Sequence, residues 1–191
     1  CGPLLIKKPN TILTNESKIA IPGKYTTANM LLSIAFPEYK NKVETLFSDI
    51  EKDVLVGKVD AGLIIHENRF TYQDKGLIKV KDLGEFWEDK TKLPIPLGGI
   101  VVKRNLPSEI QKKVERVLRK SVEYAFENRD SSAEYVKQHS QEMENEVIDA
   151  HIHVYVNKFS VSLGEKGREA VEKVFEIVHF KNFPKISKIF L

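Results

Sequence analysis

His66 closes a nearly continuous apolar run, Val59 to Ile65, and is followed at once by Glu67. Imidazole titrates near neutrality, and open α/β sheets bind ligands beyond the carboxyl ends of their strands. A histidine presented there has the chemistry of a general base. The same place also suits a histidine that caps the strand through one backbone hydrogen bond, and position alone does not separate the two readings. Thr26 and Thr27 follow Gly23 where a helix is expected to begin. Two hydroxyls and the unpaired amides of a helical first turn can grip a carboxylate there. An ordinary N-cap is the commoner use of threonine at such a site, and one residue can do both.

The remaining candidates carry less chemistry. His151 and His153 are two apart, and on a helix that spacing points them in different directions, so no metal pair is expected. His139 and His179 have no carboxylate or cysteine at a familiar ligand spacing and read as surface or packing residues. Trp87 beside Phe86 reads as core. Neither a phosphate-binding glycine loop nor a nucleophile elbow occurs, which argues against nucleotide-dependent enzymes and serine hydrolases. Acid–base chemistry or simple binding remains.

The elements that must position these residues follow from the apolar pattern. Lys18 to Pro22 reads as a strand, Gly23 as a turn, and Ala28 to Ala35 as a helix stopped by Pro37. Val43 to Phe47 alternates like a half-buried strand. A helix is expected from about Ser48, with Asp49 and Glu51 in its acidic first turn and Ile50, Val54 and Leu55 turned inward, until Gly57. Val59 to Ile65 reads as a strand covered on both faces of a parallel sheet. A turn at Gly76, a strand from Leu77 to Val80 and an aromatic segment around Trp87 come next. Leu97 to Val102, with Gly98 and Gly99, reads as a crossover strand. Beyond it the pattern is helical. Ser108 and Gln111 have capping-box spacing, Ile110, Val114, Val117, Leu118 and Ala125 form one stripe, and Ser131 with Glu134 repeats the capping signal. Further helices are expected over 142–157 and 165–179, followed by a basic, aromatic tail.

Composition bounds the answer. The chain of 191 residues can bury a core, and its net charge of +3 arises from nearly cancelling, interspersed charges rather than a basic stripe, so nucleic acid is not an expected partner. No apolar run approaches the ~20 residues of a membrane span. The one cysteine, Cys1, excludes an internal disulfide and multi-cysteine metal sites, consistent with a cytoplasmic location. With Cys1 as its first residue, the chain is expected to be either a processed or truncated product or a mature lipoprotein bearing lipid on that residue.

The string Gly62-Leu63-Ile64-Ile65-His66-Glu67-Asn68-Arg69-Phe70-Thr71-Tyr72 resembles the signature of the 1,4-dihydroxy-6-naphthoate synthases of the futalosine route to menaquinone. Cys1 to Leu5, Ile21 to Ala28, Asp82 to Trp87, Leu93 to Gly99 and Tyr155 to Ser160 resemble that family too, in order, so the likeness covers nearly the whole chain. It implies an α/β fold of two lobes, like the type II periplasmic binding proteins. An α/β substrate-binding lobe is expected over 13–96. Segments 1–12 and 97–191 are expected to supply crossover strands and C-terminal helices to an incomplete first lobe.

The implied reaction turns cyclic dehypoxanthinyl futalosine into 1,4-dihydroxy-6-naphthoate with release of a three-carbon piece, in a bacterial cytoplasm, with no metal or organic cofactor. The resemblance makes His66 the proton acceptor and places the substrate-binding threonine-alanine pair on Thr27 and Ala28, beside Thr26. The partner is then a small molecule bearing a carboxylate. The family also has an N-terminal segment with a Ser-Pro-Cys-Pro-Asn-Asp-like opening that this sequence lacks. The expectation is therefore a fragment inactive alone, whose helices beyond Ser108 expose apolar surface and self-associate as a homo-oligomer. Three alternatives stand beside this: a solute-binding protein of the same fold that captures a small carboxylate; the chorismate dehydratase of the same route, whose pattern the His66 string resembles less; and a non-enzymatic interaction module made of the helical half, favoured only by the aromatics of the tail.

Overall fold

The structure, a computed structural model, describes residues 2–65, 68–139, 145–178 and 189–190. Strands β1 (Leu4–Lys7), β2 (Ile19–Ile21), β3 (Lys42–Glu44), β4 (Ala61–Ile64) and β5 (Ile78–Asp82) form one open sheet in the order β3-β2-β4-β1-β5. Strand β2 pairs parallel with β3 and β4, whereas β1 runs antiparallel to β4 and β5. Strands β2 to β5 therefore point one way, and β1 is the single reversed strand among the described residues.

Alternation along these strands builds two cores. Leu5, Ile19, Ile21, Ala61 and Leu63 face helices α1 (Thr27–Ala35) and α4 (Leu83–Thr91), which contribute Leu31, Leu32, Leu83 and Trp87. Leu4, Ile6, Ala20 and Ile64 face the other way, onto Ile50 and Val54 of α2 (Ile50–Leu55), Tyr72 and Leu77. Each helix follows a strand and returns across a sheet face, the doubly wound arrangement that parallel strands require. A Cβ on Gly62 would collide with the Ile50 side chain, so this glycine lets α2 lie close against β4.

The apolar Leu4, Leu5 and Ile6 need cover on both faces, and only an interior strand supplies it. Segment 1–12 accordingly does not stand apart from the 13–96 lobe: β1 lies between β4 and β5 in its sheet. The strand expected over Val43 to Phe47 is shorter, and a turn of 3₁₀ helix at Phe47–Asp49 leads into α2. Glu51 lies in the first turn of α2 as expected, and it is buried there.

The expected strand over Leu97 to Val102 does not form. No described strand lies beside it to take its hydrogen bonds, and Ile100 and Val101 are 77% and 91% exposed. Helices α5 (Ser108–Glu127), α6 (Ala133–His139), α7 (Asn145–Tyr155), α8 (Lys158–Val161) and α9 (Gly164–Val178) follow. Pro107, not Ser108, is the α5 N-cap, and the Gln111 amide instead donates to the carbonyls of Arg104 and Leu106. The α5 stripe is covered only in part: Leu118 is half-buried and α8 packs against α5, but Ile110, Val114 and Val117 are exposed. Ala170 on α9 is buried, and Val174 and Ile177 pack on the α1–α4 side of the sheet. Of the C-terminal tail only Ile189 and Phe190 are described; the Arg168 guanidinium lies 4.7 Å from the Phe190 ring centre.

Candidate functional site

The carboxyl ends of the parallel strands gather on one edge of the sheet. Leu4, opening the reversed strand β1, pairs with Ile64 and Asp82, the last residues of β4 and β5. The connection from β2 into α1 leaves from the same edge, and Glu44 ends β3 there. A ligand in such a sheet sits over this edge.

At the start of α1, Thr26 has extended backbone angles and is the N-cap. Its hydroxyl donates to the Gly23 carbonyl at 2.8 Å and accepts from the Asn29 amide at 3.2 Å, so its oxygen is committed to the helix. The Glu44 carboxylate pins the preceding loop, accepting from the Lys24 amide at 2.9 Å. The Thr27 hydroxyl donates to the Leu97 carbonyl at 3.2 Å, which lays segment 97–99 across the helix start. The Ala28 side chain is core. What remains for an anion is the pair of backbone amides of Thr27 and Ala28, the first-turn donors that no intrahelical carbonyl can reach. Gly98 and Gly99 have open space where a side chain would stand, so no side chain at those two positions narrows the approach.

His66 lies outside the described residues. The elements on both sides of it are described. Ile64 ends β4 at the ligand edge, and Asn68–Thr71 form a short helix, α3. The Asn68 amide donates to Glu51 Oε2 at 2.9 Å, and Lys75 Nζ reaches the same oxygen at 2.6 Å. Arg69 donates from Nη1 to the Gly2 carbonyl and from Nη2 to Asp82 Oδ2 at 3.1 Å. Asp82 in turn caps α4, accepting on Oδ1 from the amides of Gly84 and Glu85.

Elsewhere the chemistry is thin. His139 stacks on Tyr135 and contacts its carbonyl, and His153 is exposed on α7. The His151 side chain and His179 lie outside the described residues, among which no cluster of histidine, cysteine or carboxylates could hold a metal. A concavity of about 520 Å³ is lined by Lys8, Pro9, Asn10, Thr11, Leu55 and Gly76. It adjoins the end of β1 that pairs with the first residues of β4 and β5, so it lies at the opposite edge from α1's N-terminus. The Lys42 ammonium donates to Asn29 and Ser33 on α1, and burial, aided by Lys40, holds it below its ordinary range. No helix among the described residues is long and apolar enough to cross a membrane.

Comparison with known proteins decides the family. The sequence family described as menaquinone biosynthesis matches residues 1–179. The chain belongs to that menaquinone biosynthesis family. Within it, a 1,4-dihydroxy-6-naphthoate synthase of Thermus thermophilus is 41% identical over 174 residues, covering 91% of this chain and 64% of that protein. One from Streptomyces coelicolor is 40% identical over 176 residues, covering 90% and 62%. The chain thus spans a little under two thirds of the length of these curated relatives. Protein AF1704 from Archaeoglobus fulgidus has the same fold, with a TM-score of 0.87 at 38% identity over 94% of this chain and 67% of that one. An ABC transporter protein from Parabacteroides distasonis aligns with a TM-score of 0.59 at 16% identity, over 93% of this chain and 63% of its own. That likeness shows the fold alone, a mixed α/β architecture with an open sheet shared with solute-binding proteins.

Asn68, Arg69 and Asp82 lie in strings that resemble the naphthoate synthases, but residue type and spacing alone assign them no role. One signal was present. Asp82 and Glu85 have the spacing of an acidic N-cap and its third helical residue, which marks Asp82 as a fixed carboxylate. The Tyr155 to Ser160 string is structural: Asn157 and Ser160 form the reciprocal cap of α8.

Proposed function

We propose that this sequence belongs to a carbon–carbon lyase that converts cyclic dehypoxanthinyl futalosine to 1,4-dihydroxy-6-naphthoate, with His66 as general base. The observation that carries the reading is convergence at one sheet edge. The open amides of the α1 start, the exit of β4 toward His66 and the side-chain-free Gly98-Gly99 segment share it. The 40–41% identity to naphthoate synthases supports the same reading.

Chemically, the amides of Thr27 and Ala28 bind the substrate's carboxylate, aided by the partial positive charge of the helix terminus. Thr26 and Thr27 act mainly by shaping that terminus, through their bonds to Gly23 and Leu97. A neutral imidazole takes the proton of a substrate hydroxyl, a carbon–carbon bond breaks, a three-carbon piece leaves and the remaining ring gains aromaticity. General-base assistance is worth roughly 10²–10⁴-fold, so positioning and aromatisation supply the rest. The test is incubation of the complete gene product with that substrate. Formation of the naphthoate supports the reading, and its absence from folded enzyme removes it.

A further inference from the structure

We propose that Arg69 is a positioning residue for this reaction, holding the α3 flank of the segment that contains His66; the proposal rests on the reading of His66 as the base. In sequence only His66 and Glu67 separate Ile65, which follows β4, from α3. Whatever fixes α3 fixes one of the base's two flanks. The other flank is β4 itself, buried along its length between β2 and β1.

Helix α3 cannot fix itself. It has 4 residues, far below the length at which a helix is stable alone, so its placement depends on side-chain anchors. Arg69 is the anchor that reaches furthest. One guanidinium nitrogen donates to the Gly2 carbonyl just before β1, and the other to Asp82 at the end of β5. The sheet register places Leu4, Ile64 and Asp82 side by side, so this single side chain ties α3 to the strands beyond β4, at the edge where the ligand sits. Asn68, bound to Glu51 on α2, ties the same helix to the layer on the other side.

The chemistry demands arginine. A planar fork serves a carbonyl and a carboxylate together; an ammonium is a single point charge on a flexible stem. The Arg69 and Asp82 side chains are 17% and 4% exposed, so solvent screens the pair weakly. Asp82 cannot swing away to release Arg69, because its other oxygen holds the first amides of α4.

The experiment compares Arg69→Lys, Asp82→Asn, the double variant and His66→Ala in the complete gene product, with the folded fraction fixed by circular dichroism. Asparagine still caps α4 but withdraws the carboxylate from Arg69. The expected result is a kcat lowered about 10²-fold in each of the first two with KM within twofold, since a misplacement near 1 Å costs that much. The double variant should be no worse than the poorer single, because both break one link. If both singles lose thermal stability yet keep wild-type kcat per folded molecule, Arg69 is merely structural and the proposal fails. An inactive His66→Ala beside a fully active Arg69→Lys overturns this proposal alone, and an active His66→Ala overturns it together with the base assignment.

Discussion

Lys75 Nζ lies 2.6 Å from Glu51 Oε2, and the Glu51 side chain is 4% exposed on α2. The other oxygen, Glu51 Oε1, is buried with no hydrogen-bond partner among the described residues. A charge in that setting depends on Lys75 and on the Asn68 amide. Lys75→Met should therefore destabilise the fold by about 1–3 kcal/mol, and Glu51→Gln together with Lys75→Met by less than Lys75→Met alone. Urea denaturation of Lys75→Met, Glu51→Gln and the double variant checks it; additive losses would contradict the coupling.

Gly62 sits on β4 beneath α2, and an added Cβ would meet Ile50 and, at 2.9 Å, Val54 Cγ2. Both side chains are fully buried and have nowhere to retreat. Gly62→Ala should cost about 1–3 kcal/mol by overpacking, even though alanine is the better residue entropically. The readout is a lower urea midpoint with an unchanged slope.

Lys42 gives a pH dependence. Burial first, then Lys40, lowers its pKa in the folded state below the ordinary 10.5. Below the folded value both states are protonated; between that value and 10.5 the unfolded chain binds more protons, so stability rises with pH there. The stability difference between wild type and Lys42→Met should shift in favour of wild type across that alkaline window. Tyr39, whose hydroxyl burial and Glu38 hold above 10.0, loses stability from 10.0 upward in both proteins and cancels in the difference. Thermal melts at stepped pH measure it; a flat difference would contradict the shift.

The sheet was legible where sequence pattern and burial coincide. Val59 to Ile65 reads as a doubly covered strand because every residue of β4 is buried, and Gly23, Thr26 and Pro37 punctuate α1 by local chemistry alone. Leu97 to Val102 misleads for the converse reason. Apolar content proposes a strand, but pairing requires a neighbour, and neighbours are not a local property. The same limit explains Ser108. Its spacing from Gln111 fits a capping box, but the Gln111 amide finds backbone carbonyls nearer. At the site, the threonines were legible as a helix start. The Arg69–Asp82 link was not, because 13 positions of sequence separate two residues that only the sheet register brings together.

In the proposed reaction His66 removes the proton that starts carbon–carbon cleavage. Turnover of cyclic dehypoxanthinyl futalosine by the complete gene product and its His66→Ala variant, with naphthoate formation followed directly and substrate binding measured in parallel, tests it most directly. Loss of turnover by at least about 10²-fold is expected, with binding nearly unchanged. Turnover by the alanine variant at the wild-type rate would contradict it.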